Sequence, residues 1–324
     1  MPSADVRWPI PLTRQNPWFP GQMGVEGTDT ETGLRTNCTG TVFYVDPNYP
    51  GVSDARDGTN PTDPLATVAA ALTKCQPHRG DVIAVMANGN WQYGNPTSRA
   101  MADISEQVTV TVPGVRIVGV SPSSALGVYW QPAASGGVCI TVNALDVTIE
   151  GFAFWSENPI VGGTGIFAQW TGIAAAQMQG ENLVVRHCYF DADLDYGISL
   201  EYSWYAHIHD NYFRQMGIAA IVNNNSVGDP DYAVIHHNHF VNNALAISLL
   251  DSDNCHIYSN WIHGTVGALA FIDLTGGVTN LVADNWLGCS VADYTGGAGP
   301  TCADGAGDAW VNNHCITGDP IANP

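Results

Sequence analysis

Lysine is almost missing from this sequence. Lys74 is the only one, and 10 basic residues face 30 acidic ones, for a net charge of −20. Such a surface repels phosphate backbones, which excludes nucleic acid as a partner along it, and it repels anionic membranes too. Charged residues make up only 12%, about half the usual share, while hydrophobic residues reach 45%. A disordered chain needs the opposite balance. No run of about 18 apolar residues occurs, so no membrane-spanning helix is expected. No C-x-x-C pair exists among the eight cysteines (38, 75, 139, 188, 255, 289, 302 and 315), which leaves a zinc ribbon or thioredoxin-type motif without support. Cys188 reads as a small buried hydrophobe. Cys289, Cys302 and Cys315 cluster where a disulfide could tie a Gly-rich loop.

Residues 1–40 are rich in Pro and Gly, lack periodicity and carry Trp8, Trp18 and Phe19. They read as an extended arm lying on the chain's own body or on a neighbour. A short strand, Thr41 to Val45, leads into an acidic loop with Asp54, Asp57 and Asp63 around Gly58. Its spacing does not match an EF-hand, and solvated turns account for it. Asp63 as N-cap and Pro64 at the first position predict one helix. Leu65, Val68, Ala69 and Leu72 form its apolar stripe, and Gly80 ends it. A lone amphipathic helix ahead of a long β array suits the cap of a solenoid.

The repeat lies in residues 147–287. Rows align as Ile149 to Phe154, Val185 to Phe190, Ile208 to Phe213, Ile235 to Phe240, Ile257 to Ile262 and Val282 to Leu287. The fourth position recurs at 188, 211, 238, 260 and 285, with gaps of 23, 27, 22 and 25 residues. The longer gap from 152 to 188 leaves room for an insertion around 162–180. A period near 24 with variable loops indicates a solenoid of strands, and apolar positions alternate with polar ones as strands require. Asn211, Asn238, Asn260 and Asn285 are assigned to a structural ladder: Asn tolerates left-handed backbone, and stacked amides can bond from coil to coil.

The Ile-x-x-Asn-x-Phe pattern, with Asp57-Gly58-Thr59 through Gly80-Asp81-Val82-Ile83 as entry and cap, resembles the pectin-lyase-like right-handed parallel β-helix family. The resemblance covers roughly residues 41–290 and implies an all-β solenoid. The expected organisation is an arm (1–40), entry strands and capping helix (41–107), β-helix coils (108–290) and a Gly-rich C-terminal cap (291–324). The fold hosts lyases, hydrolases, epimerases, viral spikes and inert surface proteins alike.

The enzyme branches of that family fit poorly. Lyase-like sites imply calcium-binding aspartates with an Arg or Lys base; on the aligned rows and their flanks only Arg186 and Arg214 are available. Of the polygalacturonase-like motifs only His263-Gly264 is matched, and a His-Gly pair is nearly uninformative. A separate carboxylate pair is the remaining catalytic option. Asp191, Asp193, Asp195 and Glu201 lie close in sequence. Asp251, Asp253 and Asp273 follow the apolar runs Ala246 to Leu250 and Ala268 to Ile272, so they could stack on adjacent coils and split their pKa values. Turn capping accounts for the same aspartates. His209 and His236 share a row position, with His207 and His256 on the same outward face, and are the weak metal candidates. Plain polar surface is the alternative, and no cofactor is expected.

Position five of successive rows holds Tyr189, Tyr212, His239, Trp261 and Trp286. These rings should project outward in a line, and an apolar stripe of that length implies a partner. Subunit packing is the first expectation and glycan stacking the second. The opening residues, Met1 to Arg7, have no apolar stretch of signal-peptide type, while the composition suits an extracellular surface; a virion component reconciles the two. The expected function is therefore a virion spike, tail or decoration protein. It is expected to be a homo-oligomer (a trimer by analogy with viral β-helices) that touches other subunits through residues 1–40 and contacts glycans. A secreted or cell-surface location, a polysaccharide-cleaving enzyme and a non-catalytic adhesin are the alternatives.

Overall fold

A computed structural model describes residues 27–28, 35–36, 40–86, 104–120, 128–156, 162–169, 181–201, 203–223, 228–265, 271–288, 302–303, 305–315 and 320–321. Within it the chain winds as a right-handed parallel β-helix whose successive coils build three sheets of 10, 10 and 8 strands. From Val82 onward each coil visits the three sheets in the same order, the entry turn before it carrying the helix instead. Thus His207–His209 lies in the first, Tyr212–Arg214 in the second and Ala219–Val222 in the third, before Val234–His236 returns to the first.

Pairing in register stacks like on like. In the first sheet Ile117, Ile149, Val185, Ile208, Ile235, Ile257, Val282 and Trp310 follow one another inward. In the second, Trp130, Phe154, Phe190, Phe213, Phe240, Ile262 and Leu287 do so. The phenyl rings of Phe190, Phe213 and Phe240 stack at 4.7 and 4.9 Å. All of these residues are buried. Strand alternation therefore puts the sixth row position inside and the fifth outside.

Three local expectations are corrected. The helix runs Val68–Lys74 with Thr67 as N-cap, not from Asp63. Leu65 is held in a β-bridge with Val45, and its N–H donates to the Tyr44 carbonyl, so winding starts only afterwards. Asp54 accepts from the N–H groups of Ala66 and Thr67, and Glu106 from those of Val68 and Ala69. Ala69 is exposed while Ala71 joins Val68 and Leu72 against the core.

The left-handed bend in each row falls one residue before the Asn. Asp210, His237, Ser259 and Asp284 have φ near +55°, after Gly151 and His187 in earlier coils. The Asn side chains point inward instead. Finally, part of the room expected for an insertion at 162–180 is a regular strand of the third sheet, Thr164–Ala168; 170–180 lies outside the described residues. So does the arm, apart from the two-residue ladder between Gly27–Thr28 and Arg35–Thr36.

Candidate functional site

Two outward faces carry chemistry, and an inward amide ladder fixes both. Asn211 Nδ2 donates to Asn238 Oδ1 at 3.0 Å, Asn238 to Asn260 at 3.1 Å, Asn260 to Asn285 at 3.0 Å and Asn285 to Asn313 at 3.0 Å. Each Oδ1 also accepts the backbone N–H of the residue at the same row position one coil earlier, Cys188 for Asn211 and an Asn for the others, and each Nδ2 reaches a backbone carbonyl such as that of Ile208. Buried and fully bonded, these amides hold the turn between first and second sheets in one register. Asn313, which ends the ladder, lies beyond the aligned rows, in a row from Trp310 to Cys315 that closes on Cys rather than on a large apolar residue.

The outer face of the first sheet carries Glu150, Arg186, His209, His236 and Tyr258 in register on five successive coils. Glu150 is buried between Arg116 and Arg186, with Arg186 Nε donating at 2.6 Å and Arg116 also hydrogen-bonded to it. Burial alone would raise its pKa, but the two guanidiniums outweigh that and hold the carboxyl below its usual range. Sequence reading missed Glu150; the signal was its place in the row that Arg186 occupies one coil later.

His209 and His236 are both buried and lie face to face, 4.9 Å apart at 4°, and Tyr258 stacks on His236 at 4.8 Å and 5°. His236 Nε2 meets His207 Nε2 at 2.6 Å and its Nδ1 meets His237 Nδ1 at 2.7 Å, while His209 Nδ1 bonds Asp210 at 2.8 Å. Parallel rings send their nitrogen lone pairs along parallel lines, so His209 and His236 do not converge on one ion. Among the described residues no group of three or more His, Cys, Asp or Glu is arranged to hold a metal. Burial, then His207, His209 and His237, push the pKa of His236 down to about 3.

The outer face of the second sheet carries the aromatic row. Tyr189 stacks on Tyr212 at 5.1 Å, and Tyr212 meets His239 edge-on. His239 meets Trp261 at 5.6 Å, Trp261 stacks on Trp286 at 6.3 Å and 26°, and Trp286 meets His314 at 5.6 Å. The row is not exposed along its length. Tyr189 is buried with its hydroxyl donating to Asp191, whereas Trp261 and Trp286 are 54% and 44% exposed. Two residues further along the strands lie Arg214, Val241 and His263, in register. These outward positions from Tyr212 to His314 hold no carboxylate, on a chain of charge −20.

The aspartates proposed for catalysis are engaged in turns. Asp273 lies opposite Ser248, not Asp251, so Asp273 does not join the expected stack; Asp251 and Asp253 do gather with Asp229 and Asp231, and after burial their charges raise the pKa of Asp229. Asp251 instead sits over Thr275, its N–H donating to the Thr275 carbonyl. Asp273 accepts from the Thr275 N–H and hydroxyl, and Asp253 from the Val278 N–H. Asp193 has φ +72°, and its carbonyl accepts from Gly162. In the entry loop Asp57 accepts from the Thr59 N–H and Asp63 pairs with Arg56. Cys75, Cys139, Cys188 and Cys255 are buried thiols, while Cys289 lies outside the described residues.

A family model described as "Periplasmic copper-binding protein (NosD)" matches residues 125–268, which span most of both faces. No curated protein matches the chain. Among solved structures, the complex of XylC with xylose aligns at TM-score 0.52 and 10% identity, covering 85% of this chain and 69% of that one. ORF18 of Geobacillus virus E2 aligns at 0.32 and 12%, covering 84% and 60%. A rhamnogalacturonan lyase aligns at 0.28 and 12%, covering 85% and 67%. The XylC alignment is a likeness of fold, and with the family match it establishes what this chain shares with known proteins: a parallel β-helix repeat.

Proposed function

We propose that this protein is a structural, non-catalytic β-helix of a surface assembly, a virion spike, tail or decoration subunit, that docks through Trp261 and Trp286. The observation that carries the reading is this pair of half-exposed indoles, adjacent on outward strand positions that among the described residues hold no carboxylate, on a strongly acidic chain. Large apolar rings in water favour burial against a partner, and Trp is enriched in interfaces. Two copies of a −20 chain repel each other over most of their surface, so an interface between them belongs where carboxylates are absent. Asp253 and Asp273 accept turn N–H groups, which weighs against the enzyme reading, whose remaining candidates are the clustered carboxylates of Asp229, Asp231, Asp251 and Asp253.

A second reading rests on the same indoles. Flat rings flanked by His239, His263 and His314 suit stacking on a sugar with hydroxyls bonded at the edge, and the XylC structure holds xylose. Light scattering after size exclusion separates the two. A stable oligomer that dissociates in the Trp261→Ala/Trp286→Ala double variant is the expected result. A chain that stays monomeric on concentration overturns the assembly reading; retention of that monomer on neutral glycan arrays, abolished by the same double variant, would establish the second.

A further inference from the structure

His236 is buried at 3% exposure with both ring nitrogens facing other imidazole nitrogens, His207 at 2.6 Å and His237 at 2.7 Å. Each such contact needs one proton between its two nitrogens. A neutral imidazole carries one N–H and one lone pair, so His236 donates across one contact and accepts across the other. One extra proton fits without loss: it goes to the outer nitrogen of whichever neighbour already donates to His236. A second does not fit. With His207 and His237 both cationic, both would donate into His236, which has only one lone pair to offer. One contact must then break.

The other groups facing His236 do not give it a second lone pair. His209 stacks on one face, and also lies 4.6 Å from His207, and Tyr258 stacks on the other. The Asp210 carboxylate is bonded to His209, and its charge, which also reaches His187 and His237, favours a cationic His237 without supplying His236 a second lone pair. Arg186 and His187 lie one coil beyond His209, with Arg186 engaged by Glu150. His256 stands opposite Val234 rather than His236. His237 itself holds φ +52° at the row's left-handed bend, so its release frees the backbone between the first and second sheets.

We propose that the His207–His236–His237 chain is a proton-counting latch on the outer face of the first sheet, which stays closed with one added proton and opens this coil with the second. Acidification then loosens the strand pair Val234–His236 and His239–Asn243 while the remaining coils stay wound. The depressed basicity of His236 agrees with this, since the central ring is the last to accept charge. The latch is independent of what Trp261 and Trp286 bind.

Hydrogen exchange read by mass spectrometry on the full chain tests it, with protection at each pH corrected for the intrinsic exchange rate. Peptides spanning 204–240 should lose protection on acidification, ahead of the other coils. The slope should approach two protons, about a hundredfold per pH unit. His237→Asn keeps a residue that accepts the left-handed bend but removes the second proton site; its slope should fall to one proton or less. His207→Gln should do the same from the other side. Protection across 204–240 that stays flat, that falls only together with every other coil, or that keeps its two-proton slope in both variants would overturn the latch.

Discussion

At the scale of single residues, the inward Asn and the left-handed residue before it divide a task the sequence assigns to one position. Asn238 satisfies Asn211's backbone N–H and the Ile208 carbonyl, and passes one bond to Asn260. Asn238→Ala strands both buried partners, and the expected loss is about 2–4 kcal/mol in urea unfolding. Asn48→Ala, on an exposed turn, should stay within about 0.5 kcal/mol. The sequence exposed the ladder because the amides recur at one row position. It did not expose the bend, since His, Asp, Ser and Asn alternate there.

Two buried groups contribute to the acid response. The pKa of His236 is lower in the fold than in the unfolded chain, mainly through burial, so below about pH 6.5 the unfolded state takes up the proton and the fold does not. Its contribution is whole above that pH and is lost as pH falls towards about 3, by at most about 1.4 kcal/mol per pH unit. Glu150 is lowered against the pull of its own burial by Arg116 and Arg186, so its contribution is present above about pH 4.5 and lost only below it. Urea midpoints should therefore fall in two stages, the upper one reduced in His236→Gln, since His187 and His239 are also lowered by burial, and the lower one reduced in Glu150→Gln, since Asp81 and Asp210 are lowered as well.

At the scale of elements, the helix shows how a neighbour's geometry overrides a local signal. Asp63-Pro64 is a good helix start, but Leu65 is drawn into a bridge with the first strand, and Thr67 caps instead. Thr67→Ala removes the hydroxyl that accepts from the Ala70 N–H. It should cost about 1 kcal/mol by thermal unfolding. In the second sheet Phe213 sits between Phe190 and Phe240 in a continuous stack. Phe213→Ala is expected to cost about 3–5 kcal/mol, because strands fixed by register on both sides cannot close the gap. The aromatic row outside that sheet was legible as a line but not as a gradient. That Tyr189 is buried and Trp261 exposed depends on which loops and acidic partners reach each coil, here Asp191.

At the scale of the molecule, charge and architecture act together. With net charge −20, raising ionic strength from 0.01 to 0.15 M shortens the screening length from about 30 to about 8 Å. Self-repulsion between coils should weaken accordingly, and the melting temperature should rise over that range in differential scanning calorimetry; a fall would mean that local ion pairs such as Arg186–Glu150 dominate the balance. On the assembly proposed above, the same repulsion would confine contact between copies to the strip around Trp261 and Trp286.

By itself the sequence determined the fold, because a period of about 24 residues with apolar positions at fixed offsets has one economical burial: parallel coils stacked like on like. It determined the Asn ladder for the same reason, and it determined that the fifth position faces outward. Only the tertiary structure decided the rest. Which outward residues touch depends on register between coils far apart in sequence, and that register placed Glu150 between two arginines, closed His207, His236 and His237 on one another, and set Asp273 beside Ser248 rather than Asp251. Burial on the outer face is likewise a property of neighbours and not of pattern, which is why two tryptophans of one row remain in water while its first tyrosine does not.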